Sequence, residues 1–549
     1  MSASPAGLVA MTVLLALLPT AGLPPYYLHL LATAFILATL ASAWSVLAWG
    51  GQISFGQAAF FGVGAYAAAL AAIHGVASWA ALSLGAAAGA AVGALVSVAA
   101  LRLDGAPLAL ATLACAEIGR GIALSWARLT GGGAGIVGIP ALPGPASSPR
   151  AAAYYLTLLL LTTTLSVFTW VTRSRLGLAL AAVREDSQRA SLLGVSPAAW
   201  KLAAFALSGG LTGAAGGLYA HMVRVGGARS RVQVVVLPGP AHHGDARRAA
   251  HRAGPCRGGG RPSTSRASSY SNRCFQRSTR SGTRSRSSPP SSSCRGDWAD
   301  SSGGAAVPLL EGRGLCVDYG RVRALDGIDV DIQEGQVVGL LGPNGSGKTT
   351  LLNVLGGLVR STAGAVRFDG ALVTGKSPWA IGRLGIGRTF QIPRPFAGMT
   401  VLDSVLVGVA FGKRRRLLRA EDRRREGERL VALVGLDGKA GALSSELSLG
   451  QMKRLELAVA LSTHPRLLLL DELASGLSPQ GRGEVLRFYT RIRERGISIV
   501  AVEHSVGTLA SVSDRLILLH GGVVAAEGPA SDMLASPRLA QAYLGGADE

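Results

Sequence analysis

A chain of 549 residues, 49% of them hydrophobic and with a mean hydropathy of +0.35, is too long for one ordinary domain and too apolar for a wholly soluble protein. The formal charge of +22 is concentrated: residues 224–304 hold fifteen Arg, no Lys and three acidic residues, and the remainder is only modestly basic, as in a membrane protein with cytoplasmic loops. Five cysteines, three of them in that same stretch and none in a C-x-x-C pair, exclude a disulfide framework and a cysteine metal centre.

In chain order, residues 8–20, 26–50, 55–73, 77–101, 105–126, 151–171 and 201–220 are nearly uncharged apolar runs, the candidates for helices that need ~20 residues to cross a bilayer. The first run lacks a basic n-region, so we expect a short first span rather than a cleaved leader. Runs such as GVGAYAAAL and LSGGLTGAAGGL carry small residues that let helix backbones approach closely, which predicts a bundle. Glu117 and Arg120 share a face of one apolar span; they read either as functional interface groups or as a mutually satisfied structural pair. Arg173, Arg175, Arg184, Glu185, Asp186 and Arg189 make the 172–200 loop polar, and its arginines place it on the cytoplasmic side.

The next stretch, 224–306, fits neither neighbour. It is rich in Arg and Ser and offers no apolar run long enough to recross the membrane, although a nucleotide domain downstream needs cytoplasmic ATP. It reads as a disordered linker, or as the out-of-frame remnant of lost helices, since a one-base shift turns GC-rich apolar codons into Ser, Cys and Trp codons. A re-entrant 201–220 would remove the topological conflict. Without interleaved aromatics the stretch is no nucleic-acid motif, and no nucleic-acid partner is expected.

From Val307 short strand-like runs alternate with helical ones, the pattern of an α/β nucleotide-binding domain over 307–549. Gly342-Pro343-Asn344-Gly345-Ser346-Gly347-Lys348-Thr349 matches G-x-x-x-x-G-K-[ST] between VVGLL and LLNVLGGL. Such a loop turns backbone N–H groups toward phosphates, with Lys348 on the terminal phosphates, Thr349 on magnesium and Thr350 beside it. Further on, Leu467–Leu470 reads as a strand buried on both faces that ends in Asp471 and Glu472, suited to hold magnesium and to activate the attacking water. ATP and Mg2+ are the expected cofactors.

Leu447-Ser448-Leu449-Gly450-Gln451 ahead of MKRLELAVAL resembles the L-S-G-G-Q signature of ABC transporter ATPases, with Leu449 in place of the first glycine. The resemblance implies that Ser448, Gly450 and Gln451 face the γ-phosphate of ATP held by a partner subunit. It further implies that Tyr319 stacks on adenine, that Gln391 is the Q-loop glutamine reaching magnesium and the membrane domain, and that His504 is the switch histidine beside the catalytic Glu472. Leu473 stands where the family has Pro, next to the D-loop Ala474–Ser478.

Upstream, WSVLAWGGQISFGQAAFFGVGAYAAAL and RLGLALAAVREDSQRASLLGVSPAAWKLAAFALSGG resemble the M-type permease of branched-chain amino acid ABC importers, and RTFQIPRPFAGMTVL resembles their G-type ATPase. The implied fold is an α-helical transmembrane bundle, the permease domain of residues 1–223, followed by a P-loop ABC ATPase with a RecA-like core and a helical subdomain. In that family the loop from Val183 to Gly194 docks as a coupling helix near the Q-loop; by itself it reads equally as a solvated loop. The implied function is ATP-driven import of branched-chain or related amino acids across the bacterial inner membrane, with the ATPase in the cytoplasm. The implied partners are a second permease, a second ATPase and a periplasmic solute-binding protein. Urea and short amides are alternative substrates, and an orphan ATPase on a transport-incompetent permease is the alternative function.

Overall fold

The computed structural model describes residues 5–535 other than 102, 141–148, 224, 227–306, 414–417, 478 and 504. The anomalous Arg/Ser-rich stretch, beyond Val225 and Gly226, and the expected switch residue His504 thus lie outside the described residues.

The amino-terminal half is helical: α1 (Pro5–Leu17), α2 (Pro25–Trp49), α3 (Gln57–Ile73), α4 (Ser78–Ala100), α5 (Ala106–Ser125), α6 (Pro149–Arg173), the short α7 (Arg175–Glu185) and α8 (Ser187–Leu192), and α9 (Pro197–Val223). Every apolar run read from the sequence is a helix, but among the described residues five helices (α2, α4, α5, α6 and α9) are long and apolar enough to cross a membrane. Helix α1 stops at 13 residues. Pro19 enters a 3-10 turn behind it and Gly22 turns left-handed at φ 74°, so the chain cannot continue as helix. The 27 unbroken residues of α9 rule out the re-entrant reading of 201–220.

Small residues set the packing of α3, α4 and α9. A Cβ on Gly89 would lie 2.3 Å from the Gly209 carbonyl oxygen, and one on Gly213 would lie 2.5 Å from that of Gly85. Backbones meet directly, where lipid offers no hydrophobic drive for association. Gly89→Leu is expected to lower the stability of the solubilised chain by upwards of ~3 kcal/mol, because backbone cannot yield as a side chain does. An unchanged melting curve in detergent would contradict this packing. Buried polar groups tie α9 to α3 and to α2: Gln57 Nε2 donates to Ser208 Oγ at 3.0 Å, Thr212 Oγ1 donates to Gln57 Oε1 at 2.7 Å, and Ser208 Oγ donates to the Ala43 carbonyl at 2.8 Å. Each such bond is worth on the order of 1 kcal/mol in a bilayer. Glu117 and Arg120 do pair, at 2.8 Å, but both side chains are 59% exposed on α5.

The carboxy-terminal half is α/β. Its strands are β1 (Leu310–Tyr319), β2 (Val322–Ile332), β3 (Val337–Leu341), β4 (Ala363–Phe368), β5 (Ala371–Leu372), β6 (Ile386–Arg388), β7 (Leu467–Asp471), β8 (Ser498–Val502), β9 (Arg515–His520) and β10 (Val523–Pro529). One sheet has the order β10-β9-β3-β8-β7-β6, parallel except for the β9–β10 edge; the other is antiparallel, β2-β1-β4-β5. Strands β3, β7 and β8 are buried at every residue, which is why they read as unbroken apolar runs. Their side chains alternate between two cores. Leu467, Leu469, Val500 and Val502 point into one with Val338 and Leu340, while Leu468, Leu470, Ile499 and Ala501 point into the other with Val337 and Leu341. The longer helices of this half are α10 (Lys348–Leu355), α11 (Pro378–Leu384), α12 (Val401–Phe411), α13 (Ala420–Leu433), α14 (Leu449–Leu461) and α15 (Pro479–Arg493). Of these, α12, α13 and α14 form the helical subdomain. The second core runs through α12 and α14 and continues into Ala179, Val183, Leu193 and Val195, so the polar loop between α6 and α9 is no solvated loop.

Candidate nucleotide site and its link to the membrane helices

Strand β3 delivers its last apolar residue, Leu341, to a loop whose glycines take conformations closed to other residues. Gly342 has φ 144° and a Cβ there would meet the Leu519 carbonyl at 2.2 Å, while Gly345 at φ 80° and Gly347 at φ 103° complete the turn. A Cβ on Gly345 would meet nothing within 4 Å. Lys348, the first residue of α10, curls back and donates to the carbonyls of Gly342 at 2.7 Å and Pro343 at 2.8 Å. Burial pulls its ammonium below the usual lysine range, offset by the carboxylates of Glu472 and Asp471. The Ser346 hydroxyl is buried with no hydrogen-bond partner among the described residues. A donor with nothing to donate to, in a loop of N–H groups at a helix N-terminus, is matched by a phosphate oxygen. Thr349 is exposed and Thr350 half-buried on the same turn, and Asn344 is exposed at the crest.

Strand β7 ends at Asp471, 2% exposed, whose N–H donates to Thr389 Oγ1 at 3.1 Å. Its Oδ2 lies 3.9 Å from Arg388 Nη2, and burial pushes that guanidinium down to about 10. The next residue, Glu472, is 8% exposed and sits at φ 49°, a left-handed conformation unusual for a non-glycine. Two contacts hold it there: its N–H donates to the Val502 carbonyl at 2.9 Å, and Lys453 Nζ donates to its own carbonyl at 2.8 Å and to that of Ser475. Among the described residues no cluster of three or more His, Cys, Asp or Glu could hold a metal. One carboxylate, the Thr349 hydroxyl and the Gln391 amide are nonetheless hard oxygen donors of the kind that magnesium uses when substrate phosphates supply the rest.

Ser448 caps α14 in a capping box: its Oγ accepts from the Gln451 N–H at 3.4 Å, and Gln451 Oε1 accepts from the Ser448 N–H at 3.0 Å. Both side chains are thus engaged in starting the helix. Leu449, which replaces a glycine of the motif, is 49% exposed, and Gly450 follows it in the first turn. Leu473, in place of the family Pro, is 3% exposed in the core. The D-loop behind it is fixed by Glu503, whose Oε1 accepts from the Ala474 N–H at 2.9 Å and from the Tyr489 hydroxyl at 3.2 Å. Tyr319 ends β1 and is 51% exposed, open to a stacking partner. Gln391 is exposed directly after Phe390.

The membrane half reaches this site through α7 and α8. The Gly398 N–H donates to Glu185 Oε2 at 3.0 Å, Asp186 caps α8 by accepting from the Arg189 N–H at 2.9 Å, and Gly382 abuts the Leu192 carbonyl. Arg189, 3% exposed, lies 4.0 Å from Glu456 Oε1. Arg189, Thr389, Lys453, Glu456 and Glu503 were not singled out from sequence for these positions. The signal available was Lys453 and Glu456, three apart on one face of a helix whose later residues are apolar. Burial pushes the Glu456 carboxyl up to about 7 against the opposing pull of Arg189, the Phe390 N–H, Lys453 and Arg394. A folded pKa above the unfolded one means that this group's contribution is full at low pH and falls as pH rises toward about 7. The melting temperature of the wild type minus that of Glu456→Gln should therefore decrease between about pH 5 and about pH 8; a pH-independent difference would contradict the burial.

Comparisons with known proteins bear on both halves. The family described as ABC transporter matches residues 325–475, and that described as branched-chain amino acid transport system / permease component matches residues 26–236. The probable branched-chain amino acid transport ATP-binding protein LivG of Archaeoglobus fulgidus is 34% identical over 250 residues, covering 44% of this chain and 97% of the relative. The high-affinity branched-chain amino acid transport ATP-binding protein BraF of Pseudomonas aeruginosa is 33% identical over 250 residues, 43% of this chain and 98% of the relative. A solved ATP-binding cassette of an ABC transporter in its ADP conformation is 29% identical, covers 44% of this chain and 100% of that one, and superposes with a TM-score of 0.40.

Proposed function

The chain belongs to the ABC transporters, as an ATP-hydrolysing branched-chain amino acid transport ATPase joined to a permease component, and from that premise we propose that it drives the import of branched-chain or related amino acids. The observation that supports this most is the docking of α7 and α8 on the ATPase half of the same polypeptide, through the Glu185–Gly398 bond and the shared core. Hydrolysis on one side of that contact can move helices on the other.

The roles follow from position. Tyr319 stacks on the adenine, the Gly342–Lys348 loop with Thr349 and Thr350 wraps the phosphates, and Lys348 exchanges its two carbonyl contacts for phosphate oxygens. Thr349, Gln391 and Asp471 would hold magnesium, which when bound neutralises charge on the transferred phosphoryl group. Glu472, fixed by Lys453 and Val502, takes the proton of the attacking water, and His504 is assigned the switch role by its motif alone. Ser448, Gly450 and Gln451 present the start of α14 to nucleotide held by a second ATPase subunit. A second permease covers the exposed Glu117–Arg120 pair on α5, which lipid would not tolerate, and a periplasmic solute-binding protein selects the ligand. The ATPase half lies on the cytoplasmic side of the inner membrane.

Proteoliposomes containing the chain, a second permease, a second ATPase and a solute-binding protein should accumulate labelled leucine in an ATP-dependent manner. Accumulation of labelled urea instead would reassign the substrate. ATP hydrolysis with no uptake of either would favour the second reading, an ATPase on a transport-incompetent permease, which the sequence of residues 224–304 recommends.

A further inference from the structure

We infer that Arg189 and Glu456 form the charge link through which the docked membrane segment positions the signature helix α14 and the Q-loop as one unit. The inference deepens the reading above and rests on its assumption that α7 and α8 carry the coupling.

Three elements meet at one carboxylate. Glu456 belongs to α14, eight residues after the capping Ser448, so about two turns of rigid helix separate it from the signature motif. The same Oε1 accepts from the Phe390 N–H at 3.1 Å, and Phe390 immediately precedes Gln391. Arg189 Nη1 approaches this oxygen to 4.0 Å from the membrane segment. Arg189 is not free to wander, since its backbone is held by the Asp186 cap at 2.9 Å and its guanidinium lies over the Phe396 ring at 5.0 Å. Asp186 in turn lies 4.0 Å from Arg394, on the ATPase side.

The contact is arranged as a link and not as a clamp. Arg189 and Glu456 side chains are 4% and 3% exposed, yet Arg189 Nη1 and Glu456 Oε2 have no hydrogen-bond partner among the described residues. A buried pair at 4.0 Å is short of the 2.7–2.9 Å of a charge-assisted hydrogen bond, so an approach of about 1 Å would close it. Burial holds Arg189 below the usual arginine range and Glu456 above the usual carboxylate range: desolvation outweighs attraction for both partners. A pair of this kind adds little stability compared with apolar residues in its place, whereas removing one partner strands the other charge. Its use is then registry, a contact with an open and a closed arrangement that both halves of the chain can bias.

The test uses the full chain in lipid nanodiscs with its partner subunits. Glu456→Gln, near-isosteric, and Arg189→Gln, which removes the guanidinium, are compared with the double exchange of Arg189→Glu and Glu456→Arg. Each single variant should raise amide hydrogen exchange at residues 186–194 and at 389–392, and should lower kcat for ATP by ~10-fold with KM within about twofold, the scale of a network coupling. The double exchange should recover protection and most of kcat. Intact protection of β7 and β8 shows that the variants are folded. Unchanged kcat and exchange in both single variants would overturn the inference. So would a double exchange no better than the singles, or looser exchange at 186–194 with kcat untouched, which would make the pair a docking contact only. If every variant and the wild type hydrolyse ATP without regard to the solute-binding protein, but exchange still follows the pair, the functional reading fails and the link stands.

Discussion

Glu472→Gln is expected to lower ATP turnover by ~10²–10⁴-fold, the contribution of a positioned general base, while ATP binding is kept. The substitution retains volume and leaves the two backbone contacts that hold residue 472, to Val502 and Lys453, because neither uses its side chain. The carboxylate charge and with it the ability to accept a proton are lost. Phosphate release under saturating ATP, set beside equilibrium binding of a fluorescent ATP analogue, separates the two effects. Turnover equal to wild type would remove Glu472 from the proposed chemistry; loss of binding together with turnover would mean that residue 472 shapes the loop instead.

Gly382→Val should break the communication between the halves without harming the nucleotide site. A Cβ on Gly382 would sit 2.2 Å from the Leu192 carbonyl, which belongs to the docked membrane segment, so the segment must lift to admit it. Backbone against backbone leaves no rotamer to relieve the clash. Gly382 lies in α11, away from the Gly342–Lys348 loop and from β7, so ATP binding should stay within about twofold. Stimulation of hydrolysis by the loaded solute-binding protein should be lost, with hydrogen exchange rising at residues 186–194. Stimulation equal to wild type would show that the contact between α8 and α11 does not transmit.

The parts of this protein that sequence made legible are those where one residue type in one place has one physical use. The Gly342–Thr349 loop could be read because only glycine adopts φ 144° and φ 103° beside the Leu519 and Ala324 carbonyls. The run Leu467–Leu470 could be read because a strand buried on both faces has no polar residue to give. The segment from Val183 to Gly194 was legible only by resemblance, since charged residues between two apolar helices look the same in solvent or in a groove. What decides is the partner surface, formed by Phe396, Met399 and Phe411 some two hundred residues on. Arg189 and Glu456 were silent for the same reason: each is an ordinary helix residue in its own segment, and the pairing exists only after both halves fold. The first helix lies three residues ahead of the run 8–20, because hydropathy extends through residue 20 while Pro19 and Gly22 end the helix.

The central claim is that ATP hydrolysis in this chain answers to its membrane half. The most direct measurement is the ATP turnover of the full chain in proteoliposomes with a second permease and a second ATPase, with and without ligand-loaded solute-binding protein on the opposite face. The account predicts a several-fold rise in turnover on addition of the loaded protein, abolished by Gly382→Val. Turnover indifferent to the loaded protein would contradict it and leave an ATPase uncoupled from the helices to which it is joined.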